Sequence, residues 1–362
     1  MSNRLSPGMK ICSYRHEYEL VFIDNFLTTL SNSYEDGDYI VVDNRVCQLH
    51  TELSEFVKAR RNIIIEANEA TKSFERLGSF IESLIENNFT RANRLIAIGG
   101  GVTQDLTSFV ASILFRGVNW LFFPTTLLAQ CDSCIGSKTS INFGKYKNQL
   151  GSFFPPKSIF IDTRFLKTLP KSELRSGLGE MLHYYLVTSE SDLQMVEEHG
   201  DQALVDDFEL RRFISRSLEI KKAMIEVDEF DKGPRAVFNY GHSFGHAIEA
   251  ATQNQVPHGI AVAYGMDLAN ILSVELGMIS KQLRNRIRLS LAKVFTGTDL
   301  PEIDADLIFA ALRKDKKNQG KDIKVILTRG IGDMYKTTLE NNDQTNQCIR
   351  NFFKNRCYET DL

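Results

Sequence analysis

Short apolar runs alternate with amphipathic stretches through the first half of this chain. Tyr39–Asp43, Asn62–Glu66, Arg94–Gly99, Trp120–Pro124 and Ser158–Asp162 are each apolar over several consecutive positions. Unbroken apolarity over so short a run is the pattern of a strand buried on both faces of a parallel sheet. Between these runs, Gln48 to Arg60 and Phe74 to Asn87 carry apolar residues at helical spacing. The alternation predicts an α/β domain, a parallel sheet with helices on its faces. After Asp162 the period changes. Helices are predicted over Leu178–Leu186, Leu210–Val227, Asn239–Ala251, Gly259–Glu275 and Lys281–Val294, with one late extended run at Ile323–Thr328. Pro170 cannot continue a strand and suits the first turn of a helix. It therefore marks the expected boundary between an α/β domain over 1–170 and a mostly helical domain over 171–362, with a ligand cleft between them as the default expectation.

Composition narrows the picture. The chain has 362 residues, 43% hydrophobic and 25% charged, enough to bury a large core, and its formal net charge of −3 argues against a nucleic-acid-binding surface. Met1-Ser-Asn-Arg-Leu-Ser-Pro lacks the apolar core of a signal peptide, and no run reaches the ~18 apolar residues that span a bilayer. A cytoplasmic protein with no membrane partner is expected. Six cysteines stand at 12, 47, 131, 134, 348 and 357. Cys131-Asp-Ser-Cys134 has the spacing of a redox pair or half a zinc site, but no second pair completes four ligands and the setting is apolar. Buried, reduced, structural thiols are expected there.

The densest chemistry lies in Asn239-Tyr-Gly-His242-Ser-Phe-Gly-His246-Ala-Ile-Glu and the following His258-Gly. His242 and His246 are four apart and share a helix face, and Gly241 and Gly245 keep that face thin enough for a ligand or another backbone to approach. His258 follows Pro257 at the mouth of the next apolar run. Such a set can hold a divalent metal, although core histidines bonded to carbonyls have the same spacing. A third ligand type is available in Gly177-Leu-Gly-Glu180-Met-Leu-His183, where a carboxylate inside an apolar helix is costly unless paired or metal-bound. In the first half, Gly99-Gly-Gly101-Val-Thr-Gln-Asp105 joins a strand to a helix, where bare amides can approach a phosphate. It is not the dinucleotide fingerprint with alternating glycines, and a tight structural turn has the same sequence. Lys138, Lys145, Lys147 and Asn148, with Arg116 one strand earlier, form a cationic set suited to a phosphorylated small molecule or to a solvated loop.

Several long motifs stand in order along the chain: the Gly99–Asp105 segment, Phe115-Arg-Gly-Val, the stretch from Pro124 through Asp132 to Lys138-Thr, Lys147-Asn148, Ile161 to Pro170, Gly-Glu180, Arg235 to Glu249, and His258-Gly. Together they make the chain similar to the sugar-phosphate cyclase superfamily, which includes the 3-dehydroquinate synthases. The resemblance runs from about residue 39 to about 335. It implies an NAD-binding α/β domain followed by a helical metal- and substrate-binding domain. It implies Glu180, His242 and His258 as zinc ligands, with cobalt an alternative, and His246 near the substrate as a proton shuttle. Asp43, Glu69, Lys72, Gly99, Gly100, Gly101, Asp105, Thr125, Thr126, Phe165 and Thr168 match NAD-holding positions. Asp132, Lys138, Lys147, Asn148, Lys221, Arg235 and Asn239 match substrate-contacting positions, with Asp132, Lys138 and Lys221 in catalytic roles. Arg116 matches a residue that reaches a neighbouring subunit's phosphate site, which implies a homodimer. One lysine of the run Arg313-Lys-Asp-Lys316-Lys317 is expected at the phosphate.

The chemistry so implied is a metal- and NAD-assisted cyclisation. A hydroxyl of a sugar phosphate is oxidised, the resulting ketone acidifies the neighbouring C–H, phosphate leaves by β-elimination, the hydride returns, and an intramolecular aldol reaction closes a carbocycle. The leading substrate is a seven-carbon 2-keto-3-deoxy acid phosphate. The alternative is sedoheptulose 7-phosphate or a related sugar phosphate in specialised metabolism, and a metal-dependent alcohol or glycerol dehydrogenase is a further reading. Three positions depart from the 3-dehydroquinate synthase pattern: His183 stands at a usual lysine that grips the substrate carboxylate, Ile260 at a usual glutamate, and Ser137 at a usual glycine. All three concern the substrate side, so they bear on the choice of substrate.

Overall fold

The computed structural model describes residues 8–144, 146–295, 297, 300–314, 323–340 and 342–354. It divides into two compact units, one of residues 1–169 with 221–230, the other of residues 170–220 with 231–362.

In the first unit the strands are β1 (Met9–Ile11), β2 (Tyr18–Phe22), β3 (Tyr39–Asp43), β4 (Asn62–Ile65), β5 (Leu95–Gly99), β6 (Trp120–Pro124), β7 (Ile141–Phe143), β8 (Tyr146–Leu150) and β9 (Ser158–Ile161). The helices are α1 (Phe26–Ser33), α2 (Asn44–Leu49), α3 (Thr51–Lys58), α4 (Phe74–Glu86) and α5 (Gly101–Ile113). Seven strands form one sheet in the order β1-β2-β9-β6-β5-β3-β4, parallel except for β1 against β2. All five predicted strands are present and parallel. Alternate residues serve the two faces: Ile40, Val42, Ile96, Ile98, Leu121 and Phe123 pack with Leu30, Val46, Leu53 and Val57 from α1–α3. Val41, Ala97 and Phe122 on the opposite face are equally buried, which is why these strands read as unbroken apolar runs. The predicted helix from Gln48 to Arg60 is two helices that break at His50. The first begins earlier because the Asp43 carboxylate caps it, accepting from the Arg45 amide at 2.9 Å. β7 and β8 form a separate antiparallel hairpin.

The second unit holds α6 (Lys171–Thr188), α7 (Glu190–His199), the first part of α8 (Asp207–Val227), α9 (His242–Ala251), α10 (His258–Glu275), α11 (Lys281–Phe295), α12 (Ala305–Lys314), the hairpin β10 (Ile323–Gly330) and β11 (Asp333–Leu339), and α13 (Asp343–Lys354). α10 is its centre. Residues 259–270 are buried on every face, so the helix shows no polar stripe. Its one carboxylate there, Asp267, is fully buried and meets the Arg284 guanidinium through two bonds of 3.1 Å. No helix among the described residues is long and apolar enough to cross a membrane.

Candidate active site

Strand order locates the first part of the site. From β3 the chain moves outward to β4; from β5 it moves the other way to β6. The loops leaving the carboxyl ends of β3 and β5 therefore diverge, which makes the crevice above this pair a topological switch point. Asp43 ends β3, and Gly99-Gly100-Gly101 carries β5 into α5. A Cβ on Gly99 would lie 2.3 Å from the Thr103 Oγ1, and one on Gly100 would lie 2.9 Å from the Thr126 methyl. Nothing lies within 4 Å of a Cβ on Gly101, and Gly100 caps α5 with no side chain. The N-terminus of α5 is thus bare backbone beside open space, the arrangement that receives a phosphate. The Thr125 amide donates to the Gly99 carbonyl at 3.0 Å and ties the next loop to the turn. Phe165 is a core residue, its ring 4.4 Å from Phe26 and 5.2 Å from His50, and Thr168 stands 3.5 Å from the same His50 ring.

Lys72 links this turn to the cationic hairpin. Its buried ammonium donates to Asp105 on α5 at 2.9 Å and to the Asn148 side chain on β8 at 2.8 Å, with Glu69 at 3.8 Å. Burial pushes the Asp105 carboxyl up to about 6, although the Lys72 ammonium pulls the other way. Asn148 holds the left-handed backbone region at φ 54°, which asparagine tolerates better than most residues. Lys147 beside it and Lys138 are exposed. The Lys221 ammonium, buried, donates to both the backbone carbonyl and the carboxylate of Asp132 at 2.8 Å. Arg116 is exposed within three successive positive-φ residues, Phe115, Arg116 and Gly117. Cys131 and Cys134 are fully buried, their thiols directed at the Leu128 and Gln130 carbonyls. Burial pushes the Cys134 thiol up to about 12, the state of an inert thiol. Lys145, Lys316 and Lys317 lie outside the described residues.

In the second unit the metal candidates converge because glycines let three helices touch through their backbones. A Cβ on Gly179 of α6 would lie 2.2 Å from the Gly259 carbonyl of α10, and a Cβ on Gly259 would lie 1.8 Å from that of Ser176. A Cβ on Gly245 of α9 would meet the Val262 backbone of α10 at 2.9 Å. The thin face expected around Gly245 is thus used by another backbone. Glu180, His242 and His258, one on each helix, follow these contacts. The His242 Nε2 stands 3.2 Å from one Glu180 oxygen and the His258 Nε2 3.8 Å from the other. Their Nδ1 atoms face the Tyr240 carbonyl at 3.2 Å and the Glu249 carboxylate at 3.1 Å. These partners orient both Nε2 atoms toward Glu180. Burial alone would raise the Glu180 carboxyl, but His242, then His258 and His183, outweigh it and hold it well below the ordinary carboxylate range. Its second oxygen is buried with no hydrogen-bond partner among the described residues. An anionic carboxylate with an unsatisfied oxygen, facing two oriented imidazoles, fits a divalent cation of the two-histidine, one-glutamate kind. His246 is exposed, its ring stacked 5.7 Å from that of His258. Arg235 and Asn239 are half-buried on the 3₁₀ turn Pro234–Asn239.

Comparison with known proteins decides the family. The profile described as 3-dehydroquinate synthase N-terminal matches residues 62–176, and that described as 3-dehydroquinate synthase C-terminal matches 177–318. A 3-dehydroquinate synthase of Bartonella tribocorum is 37% identical over 309 residues, 82% of each chain. The chain belongs to the 3-dehydroquinate synthase family. It is accordingly an enzyme of the phosphate-eliminating sugar-phosphate cyclase class. Among solved structures, a 2-deoxy-scyllo-inosose synthase complexed with carbaglucose-6-phosphate, NAD+ and Co2+ superimposes with a TM-score of 0.85 at 26% identity, covering 95% of this chain and 99% of that one. The 2-epi-5-epi-valiolone synthase from Streptomyces hygroscopicus subsp. jinggangensis 5008 with NAD+ and Zn2+ bound gives a TM-score of 0.81 at 27% identity, covering 98% and 99%.

The three departures from the 3-dehydroquinate synthase pattern have distinct settings. His183 is fully buried, its ring 4.8 Å from His242 and edge-on to Phe238. Ile260 is fully buried in the first turn of α10, immediately after the Gly259 contact. Ser137 is buried and donates to Glu229 at 2.5 Å. Glu229 also accepts from the Ser13 hydroxyl at 2.7 Å and the Tyr14 amide at 2.8 Å, so the serine helps fasten the 221–230 segment to the first unit. Sequence reasoning passed over Glu249, Glu229 and Asn142. Glu249 was reachable, since it ends the quoted histidine motif three residues after His246. Glu229 had no local signal because its partners Ser13, Tyr14 and Ser137 are distant in sequence, and Asn142 had none because its tie to Glu69 spans 73 residues.

Proposed function

We propose that the chain is an NAD- and zinc-dependent cyclase that converts a seven-carbon 2-keto-3-deoxy acid phosphate to a carbocycle with loss of phosphate, the reaction of a 3-dehydroquinate synthase. The observation that carries the cofactor reading is Glu180, an anionic buried carboxylate with an orphaned oxygen between two oriented imidazoles. Glu180, His242 and His258 would hold the metal, which when bound lowers the pKa of a substrate hydroxyl; cobalt would suit the same donors. Asp43, Glu69, Lys72, Gly99, Gly100, Gly101, Asp105, Thr125, Thr126, Phe165 and Thr168 would hold NAD, which would supply a hydride acceptor and return the hydride to the substrate within one turnover.

The remaining roles belong to side chains. Lys138, Lys147 and Asn148 bind the phosphate and stabilise the charge that grows as its C–O bond breaks. The Lys221 ammonium orients Asp132 through the 2.8 Å contact and presents it to a substrate hydroxyl. His246, exposed and stacked on His258, moves a proton at a ring nitrogen. Arg235 grips the substrate carboxylate through two parallel bonds, Asn239 adds a neutral donor, and His183 supports that end. Arg116 reaches the phosphate site of a second copy in a homodimer, a reading supported by its exposure beside exposed Ile113 and Phe115.

The retained Arg235 favours an acidic substrate over sedoheptulose 7-phosphate. The test offers both sugar phosphates and measures inorganic phosphate and carbocycle. Release from the keto acid phosphate is expected; turnover of sedoheptulose 7-phosphate alone contradicts the assignment.

A further inference from the structure

Asn142 on β7 is buried at 6% exposure, yet its side chain uses both ends of its amide. Its Oδ1 accepts from the Asn148 backbone amide at 2.9 Å, on the partner strand of the hairpin. Its Nδ2 donates to the Glu69 carboxylate at 2.7 Å and to the Glu69 carbonyl at 3.3 Å. Its own backbone amide donates to the Lys72 carbonyl at 3.0 Å. Asn142 is thus bonded on one side to Asn148, whose left-handed backbone lies at the register shift of the hairpin, and on the other to the 69–72 loop. That loop reaches the turn at the β3–β5 crevice, since Lys72 donates to Asp105 on α5. Lys72 also donates to the Asn148 side chain at 2.8 Å, while Asn142 holds its backbone.

A buried amide bonded at both ends has one orientation, because rotating it would put donor against donor and acceptor against acceptor. It also lies between the two ligand regions without belonging to either. We infer that Asn142 is a positioning residue that couples the dinucleotide turn to the phosphate-binding hairpin by locking Asn148 to the Glu69–Lys72 loop. The inference rests on the reading of Lys147 and Asn148 as phosphate contacts and of the Gly99–Gly101 turn as the NAD site. Ordering the loop by NAD then orders the hairpin before the sugar phosphate arrives, and part of the ordering cost is met in advance.

The test titrates inorganic phosphate into the full chain, calorimetrically, with and without saturating NAD. The unaltered protein should bind phosphate several-fold more tightly with NAD present. Asn142→Ala should bind it weakly, by about tenfold for the loss of one well-placed buried bond, and equally with and without NAD. Asn142→Asp keeps the acceptor for the Asn148 amide but sets a carboxylate against Glu69 in place of a donor. It should bind phosphate as the unaltered protein does without NAD, and show no tightening with it. This second variant carries the test if the alanine form does not fold. A tightening by NAD that survives in Asn142→Asp, or that is absent from the unaltered protein, overturns the proposal. Lys147→Ala separates the two layers: it should lose phosphate binding in both conditions, and if it does not, the underlying reading of the hairpin fails instead.

Discussion

At the scale of single residues, Glu180 is the centre of the candidate metal site. A carboxylate buried between imidazoles and left with an unbonded oxygen would be a costly defect in a helix core unless a cation completed it. Replacing Glu180, His242 or His258 singly with Ala should therefore abolish both stoichiometric metal and phosphate release. The circular dichroism spectrum should stay unchanged, since the core of the second unit does not depend on these side chains. Metal analysis of purified protein checks this, and full metal content in Glu180→Ala would contradict it. His183 decides a different matter. It is fully buried against His242, and an ammonium in its place is tolerated only with an anionic partner. His183→Lys is expected to keep or improve kcat/KM on the keto acid phosphate, where a carboxylate supplies that partner. A loss of activity there would point to a neutral end on the substrate. The histidine motif pointed to a metal site because His242 and His246, four apart, share a helix face. The choice of His258 and Glu180 beside His242 rests on the family resemblance, since these three lie on separate helices. Glu249 was passed over because an acidic residue on a helix surface has many ordinary uses.

At the scale of elements, backbone contact between helices matters more than the ligands' own spacing. Gly259→Ala would drive a methyl group into the Ser176 carbonyl, now 1.8 Å from the position it would take. α10 must then move off α6, carrying His258 away from Glu180. A loss of about 1–3 kcal/mol of stability is expected, together with weakened metal binding, measured by denaturant unfolding and competitive chelation. Retention of tight metal would show that the ligand geometry does not depend on this crossing. A second element-level prediction concerns the tie between α5 and the hairpin. Burial pushes the Asp105 carboxyl up to about 6 in the fold, from 3.8 for an unperturbed aspartate. Between about pH 4 and 6 the folded chain thus holds a proton that the unfolded chain has released. This carboxyl therefore makes stability fall as pH rises through that window, and Asp105→Asn should remove that part of the slope. The central strands were plain in the sequence because both their faces are buried. β1, β2, β7, β8 and β11 were not: β1 and β7 have only three residues, and β2, β8 and β11 carry exposed or half-buried positions that break up any apolar run. The break at His50 was hidden because apolar spacing continues across it while the Asp43 cap shifts the start of the first helix.

At the scale of the whole molecule, the change of period after Asp162 in the sequence matches the passage from sheet to helices. The return of residues 221–230 to the first unit was invisible there, since α8 is periodic throughout and the partners of Lys221 and Glu229, namely Asp132, Ser13, Tyr14 and Ser137, are far away in sequence. That return puts Lys221 with Asp132 in the unit that also carries Lys138, Lys147 and Asn148. In the proposed reaction Lys138 and Lys147 would serve the elimination by stabilising the departing phosphate. The central claim is that oxidation is transient, and one measurement addresses it most directly. Purified chain with one divalent metal per subunit and saturating NAD is mixed with the seven-carbon keto acid phosphate, while inorganic phosphate and NADH are followed together. Many equivalents of phosphate per subunit are expected, with no net accumulation of NADH. NADH rising in step with substrate consumed, without phosphate release, would mark the chain as a dehydrogenase and contradict it.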